Sequence, residues 1–136
     1  MKTAKFGGSS LASAAQIRKV CDIITADTSR RLIIVSAPGK RTAQDTKVTD
    51  LLIQAAEARL THQDGEQEMG LVEARYVEIA SGLGLEQDDV DPIIADLRHR
   101  LQADTADEGL FLDTMKAAGE ANSARLTAAF LRHRGV

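Results

Sequence analysis

Apolar residues follow two different rhythms along the chain. Up to residue 37 they form short runs around one helical stretch, and from residue 48 they recur every three or four positions almost without a break. Residues 2–6 (KTAKF) read as a short first strand. Ser13 followed by Gln16 has the spacing of a capping box, which satisfies free donors at a helix start. Ile17, Val20, Cys21 and Ile24 then recur at i, i+3, i+4 and i+7, one apolar face of a helix. The run RLIIVSA at 31–37 is compact and β-branched, and it predicts a strand buried on both faces of a parallel sheet. Strand, helix and strand within about 35 residues is the spacing of a βαβ unit.

The segment 38–47 (PGKRTAQDTK) is polar and reads as a loop. Beyond it the pattern is helical. One helix is predicted over about 49–61, with Val48, Leu51, Leu52 and Ala55 on its buried side. A second spans about 65–82, with Met69, Val72, Tyr76, Ile79 and Leu83 in register. A third is expected to open at Asp91-Pro92, where an aspartate cap precedes proline at the first helical position, and carries Ile94, Leu97 and Leu101. The last covers about 110–134, contains Gly119, and finds its stop signal in Gly135. Two strands against five helices balance poorly, because a two-strand sheet leaves apolar edges and a face uncovered. The pattern therefore predicts part of a larger α/β unit.

Composition narrows the function without choosing it. The 136 residues are 43% hydrophobic and 27% charged, an ordinary globular balance. A formal charge of −3 gives no general attraction to nucleic acid or anionic lipid. With no Trp, one Tyr and three Phe there is no platform for stacking bases. The longest apolar run, 32–35, is too short to cross a membrane, and no signal-peptide pattern follows Met1. The single Cys21 excludes an internal disulfide and fits a reducing, cytoplasmic setting.

The chemistry centres on KFGGSS at 5–10. Glycines after a strand let backbone N–H groups approach an anion, and Lys5 adds a positive charge. The stretch matches neither the P-loop pattern nor G-x-G-x-x-G. Spacing alone leaves two readings open, a phosphate loop and a tight turn. Other residues are equally ambiguous alone: Thr49 reads as a helix N-cap, Glu120 as a solvated helix carboxylate, Lys5 as a surface lysine. Gly119 invites a packing or functional reason, since glycine within a helix costs about 1 kcal/mol relative to alanine. His62, His99 and His133 lack metal-ligand spacing, and Asp88, Asp89 and Asp91 lack the EF-hand pattern.

Four segments in series change the balance. KFGGSS at 5–10, VSAPGK at 35–40, VTDLL at 48–52 and GEANSARL at 119–126 follow one another as they do in aspartate kinases. The chain resembles the N-terminal part of such an enzyme. The resemblance implies amino-acid-kinase-like α/β/α layers around a parallel sheet, helix-rich and incomplete over 1–136. It also implies transfer of the ATP γ-phosphoryl group, with Mg²⁺, to the side-chain carboxylate of L-aspartate. By resemblance Lys5 stabilises the phosphoryl group in flight, and Phe6, Gly7, Gly8 and Ser9 form the loop that holds nucleotide phosphates. Ser36 and Ala37 lie near those phosphates, while Thr49 and Glu120 bind the amino acid.

The family's nucleotide-binding half and its regulatory ACT domains come later than these motifs. The expectation is therefore an inactive fragment of a homo-oligomeric enzyme, or one that pairs through exposed sheet edges. The competing readings are another member of the superfamily, of glutamate 5-kinase or carbamate kinase type, and a non-catalytic binding or assembly module. VTDLL and GEANSA favour the aspartate enzyme.

Overall fold

The computed structural model describes all of residues 1–136. It begins with the expected βαβ unit: β1 (Lys2–Lys5), a 3-10 turn (Gly8–Leu11), α1 (Ala14–Ala26) and β2 (Arg30–Ile34). Ser13 caps α1, its Oγ accepting from the Gln16 amide at 3.3 Å. The strands run parallel, with Thr3 opposite Leu32 and Lys5 opposite Ile34, after an irregularity between Lys2 and Thr3.

Four helices follow: α2 (Val48–Leu60), α3 (Glu66–Gly82), α4 (Gln87–Leu101) and α5 (Glu108–His133). Helix α2 packs on α3 and α5, and α4 packs on the same two. Their apolar stripes merge into one core, with Tyr76, Phe111, Leu52, Met69, Met115 and Leu126 among its fully buried side chains. The core extends under the βαβ unit through Leu11, Ile17, Cys21 and Val35. Gly135 ends α5 as expected: its φ is +80°, and Val136 N–H folds back to Leu131 O at 3.0 Å. No helix is long and apolar enough to cross a membrane.

Two expectations need correction. Helix α4 opens at Glu86, not at Asp91-Pro92. Glu86 and Asp89 form a reciprocal capping box, and Pro92 falls inside the helix. Moving the start shifts the inward stripe to Val90, Ile93, Leu97 and Leu101, leaving Ile94 only half-buried. The local cap outcompeted the proline signal because it satisfies two donors at once. The second strand is also shorter than predicted, and it is covered on one face only. Ile33 packs against the core, while Leu32 is 51% and Ile34 44% exposed. Alternation puts those two on the opposite face, over which no helix of this chain lies.

Candidate functional site

Both parallel strands end on the same side, and the segments leaving them meet there. In α/β sheets ligands bind outside the carboxyl ends of the strands, where the loops diverge. Here β1 leads through Phe6 and Gly7 into the 3-10 turn, and β2 leads into residues 35–39. The two segments touch backbone to backbone, Gly39 N–H donating to Gly8 O at 2.8 Å. A Cβ on Gly39 would lie 2.8 Å from the Gly8 carbonyl carbon and 3.0 Å from Ser9 N. Only glycine allows this contact. Val48 N–H then donates to Pro38 O at 3.1 Å, which sets the first turn of α2 against the same segment.

The result is an open cleft of about 420 Å³ lined by Gly8, Ser9, Ser36, Ala37, Pro38, Gly39, Lys40, Lys47 and Thr49. Its polar character is one-sided. Two lysines and three hydroxyls face it, and no carboxylate lines it. Lys47 is the N-cap of α2 and makes no side-chain capping bond. First-turn amides have no partner within their own helix, so this end is electropositive. Such a set suits an anion.

The sequence-predicted residues divide in two. Gly8, Ser9, Ser36, Ala37 and Thr49 come together in the cleft. Thr49 is the second residue of α2 and not its N-cap. Lys5, Phe6, Gly7 and Glu120 lie outside the lining. Lys5 closes β1 on the uncovered sheet face, opposite Ile34, and Phe6 packs against the core. Glu120 is exposed on α5. Lys5, Lys40, Lys47 and Glu120 make no ion pair within the chain.

Gly119 has a packing reason. A Cβ there would sit 2.5 Å from the Ala37 Cβ, so its absence lets α5 touch the cleft's rear wall. Tyr76 fixes the same point, its buried hydroxyl donating to Gly119 O at 2.6 Å. Burial pushes the pKa of that phenol upward, so it stays protonated and a donor at neutral pH. Three residues on, Asn122 is fully buried and donates to Asp96 at 2.8 Å and to Ala118 O at 2.9 Å, tying α5 to α4.

Sequence reasoning missed Lys40, Lys47 and Arg75. The lysines carried a weak signal, each flanking a turn or helix start in a polar loop. Arg75 carried a better one: it stands beside Tyr76 on the apolar stripe of α3, an unusual place for a charge. It is 4% exposed. No cluster of three or more His, Cys, Asp or Glu side chains that could hold a metal occurs.

Known proteins resemble this chain along nearly its whole length. The amino acid kinase family model matches residues 3–136. Aspartokinase 3 of Bacillus subtilis (strain 168) is 48% identical over 136 residues, the whole of this chain and 30% of that protein. The chloroplastic aspartokinase 2 of Arabidopsis thaliana is 28% identical over 135 residues, covering 96% of this chain and 24% of that one. Among solved structures, the aspartate kinase of Clostridium acetobutylicum superposes with a TM-score of 0.79 at 33% identity, over 96% of this chain and 29% of its own. The E. coli aspartokinase III crystallised with aspartate and ADP superposes at 0.67 and 22% identity, over 98% and 29%. That last likeness bears on the fold alone. The chain thus spans about 30% of the length of the Bacillus relative it matches. Only Met1 and Lys2 fall outside the family match, which runs from β1 through the last turn of α5: the chain belongs to the amino acid kinase family.

Proposed function

We propose that residues 1–136 form the N-terminal, amino-acid-binding portion of an aspartate kinase domain. In that reading the γ-phosphoryl group of ATP passes to the side-chain carboxylate of L-aspartate. One observation carries it: the cleft at the two strand ends gathers cations, hydroxyls and helix-start amides with no opposing carboxylate. The likeness to aspartokinases over the full chain supports the choice of acceptor.

The chemistry asks little of the protein beyond position and charge. A side-chain carboxylate has a pKa of about 4 and is already ionised at neutral pH, so no general base is needed. Its oxygen forms a bond to the γ-phosphorus as the bond to the ADP leaving oxygen breaks. Both reactants are anions, and catalysis rests on holding them close and offsetting their charge. Lys5 supplies charge to the phosphoryl group in transfer. Backbone N–H groups of Gly7, Gly8 and Ser9, with Ser36 and Ala37 behind them, hold nucleotide phosphates. Thr49 and the first turn of α2 take the amino acid's carboxylate, and Glu120 takes its ammonium group through a charge-assisted hydrogen bond.

Mg²⁺ belongs to this reading as the companion of ATP. No group of three or more His, Cys, Asp or Glu side chains in the chain is placed to hold it. The reading also includes a cytoplasmic setting, consistent with a lone, buried Cys21, and assembly with further polypeptide over the open sheet face. Because the chain spans about 30% of the Bacillus aspartokinase and the family's nucleotide-binding half follows the motifs found here, the chain alone is expected to turn nothing over.

Two measurements test the proposal. Titrating the ¹⁵N-labelled chain with L-aspartate, L-glutamate and ADP should move amides of Gly8, Ser9, Ser36 and Thr49, with L-aspartate outdoing L-glutamate. A cleft that responds to neither aspartate nor ADP overturns the reading. With ATP, Mg²⁺ and L-aspartate, hydroxylamine trapping should give no hydroxamate above background; turnover would refute the inactive-fragment part.

A further inference from the structure

The loop 38–47 carries both cleft lysines and has no helix or strand of its own. Ten residues of polar loop would ordinarily sample many shapes. Something must hold Lys40 and Lys47 where they are. Backbone bonds do part of it, but a single side chain reaches both ends of the loop.

That side chain is Arg75 of α3. Its Nη2 donates to Gly39 O at 2.7 Å and to Ala12 O at 3.3 Å, and its Nη1 donates to Thr46 O at 3.2 Å. Gly39 and Thr46 are the two ends of the loop, and Ala12 closes the 3-10 turn that forms the opposite wall. Asp45 lies 3.3 Å from the same Nη1 and balances the buried charge. Asp45 is itself gripped by Arg41, whose amide donates at 2.9 Å and whose guanidinium donates at 2.7 and 3.0 Å. Arg41 also pairs with Glu78 on α3 at 2.7 Å. Two arginines thus buckle the loop onto one helix.

Stability alone does not call for this. Replacing a buried ion pair by apolar side chains of similar volume is often neutral or stabilising. What a guanidinium offers is geometry: a rigid planar fork holds its donors on separate nitrogens and so reaches carbonyls further apart than a compact ammonium does. We propose that Arg75 is a positioning residue for the cleft, fixing the loop 38–47 against the 3-10 turn so that Lys40 and Lys47 present one anion-binding surface. The anion-binding half rests on the function proposed above. The clamp does not.

Amide exchange by NMR separates the two. The amides of Gly39, Arg41, Asp45 and Val48 are each bonded within the loop or to its walls, to Gly8 O, the Asp45 carboxylate, Thr42 O and Pro38 O. In Arg75→Met they should exchange about tenfold faster or more, while interior amides of α3 and α5 stay within about twofold, as expected of a local opening. Inorganic pyrophosphate, used as the anion probe, should bind about tenfold more weakly, the size of one lost charge-assisted interaction. Arg75→Lys should keep the wild-type melting temperature without restoring loop protection.

Unchanged loop exchange in folded Arg75→Met overturns the clamp. So does acceleration spread equally over the core helices, which would make Arg75 a general structural residue. A wild-type chain that ignores pyrophosphate overturns the anion-binding half, and the exchange data still judge the clamp. If Arg75→Met fails to fold, Arg41→Gln carries the test, since it frees Asp45 from the solvent side and buries nothing new. Faster exchange confined to the amides of position 41, Asp45 and Val48 is then the expected result, and no change there refutes the proposal.

Discussion

The bundle of α2 to α5 and the strand-and-loop region around the cleft are held together by different physics. In the bundle, large apolar side chains such as Phe111, Leu126 and Met115 are wholly buried, and cohesion is spread over many contacts. At the cleft, shape comes from a few close or polar contacts: Gly39 against Gly8, Gly119 against Ala37, and Arg75 across three carbonyls. The bundle is finished on its inner side. The sheet still shows Leu32 and Ile34 to solvent. A well-closed core therefore carries a cleft held by few contacts and a sheet that is open on one face.

Substitutions on each side should expose the contrast. Phe111→Ala removes a fully buried ring and should cost about 4 kcal/mol, read as a lower denaturation midpoint with the whole chain unfolding together. Gly39→Ala forces a methyl into the Gly8 backbone and should cost about 2 kcal/mol. Its larger mark should be local, with cleft amides shifting and those of α4 unmoved. If it disturbs α4 as much as Phe111→Ala does, the two regions are one cooperative body.

Acid offers a third probe. Hydrogen bonds from Arg41 come first among the causes that hold the Asp45 carboxyl well below the usual carboxylate range. Its folded-state value is depressed, so its contribution is present above the ordinary carboxylate pKa of about 4 and is lost as pH falls below it. Loop amides should then lose protection on acidification before the helices do, and Asp45→Asn should remove that difference. The smallest effect belongs to the uncovered sheet face. Leu32→Lys should shift stability by no more than about 0.5 kcal/mol, the surface value. A core-sized loss would mean the face is covered in solution, and light scattering would show by how much mass.

Much of this was legible beforehand because periodicity reports burial. The stripes through Leu51 and Met69 placed two helices within a residue, and Ser13 marked the start of the helix through Ile17. Failures occurred where one local signal masked another. Asp91-Pro92 looked like a helix start, but Glu86 and Asp89 capped earlier. The β-branched run of β2 implied two covered faces, and apolar content says only that a face wants cover. At the site, motifs found the backbone of the cleft, Gly8, Ser9, Ser36 and Thr49, but not its cations. Lys40 and Lys47 acquire meaning only when the loop is folded back. Arg75 was harder still: its partners are carbonyls of three separate segments, and carbonyls leave no trace in a sequence.

Gly119 has a mechanical corollary. With no side chain between them, α5 and Ala37 meet without slack, and the Tyr76 hydroxyl removes the remaining play. Nothing between the helix and the rear wall can absorb a small displacement. Any side chain at position 119 would have to push Ala37, and the cleft wall with it, away from α5. Gly119 lies near the middle of the 26-residue helix, so the cleft wall rests on the backbone of α5 itself.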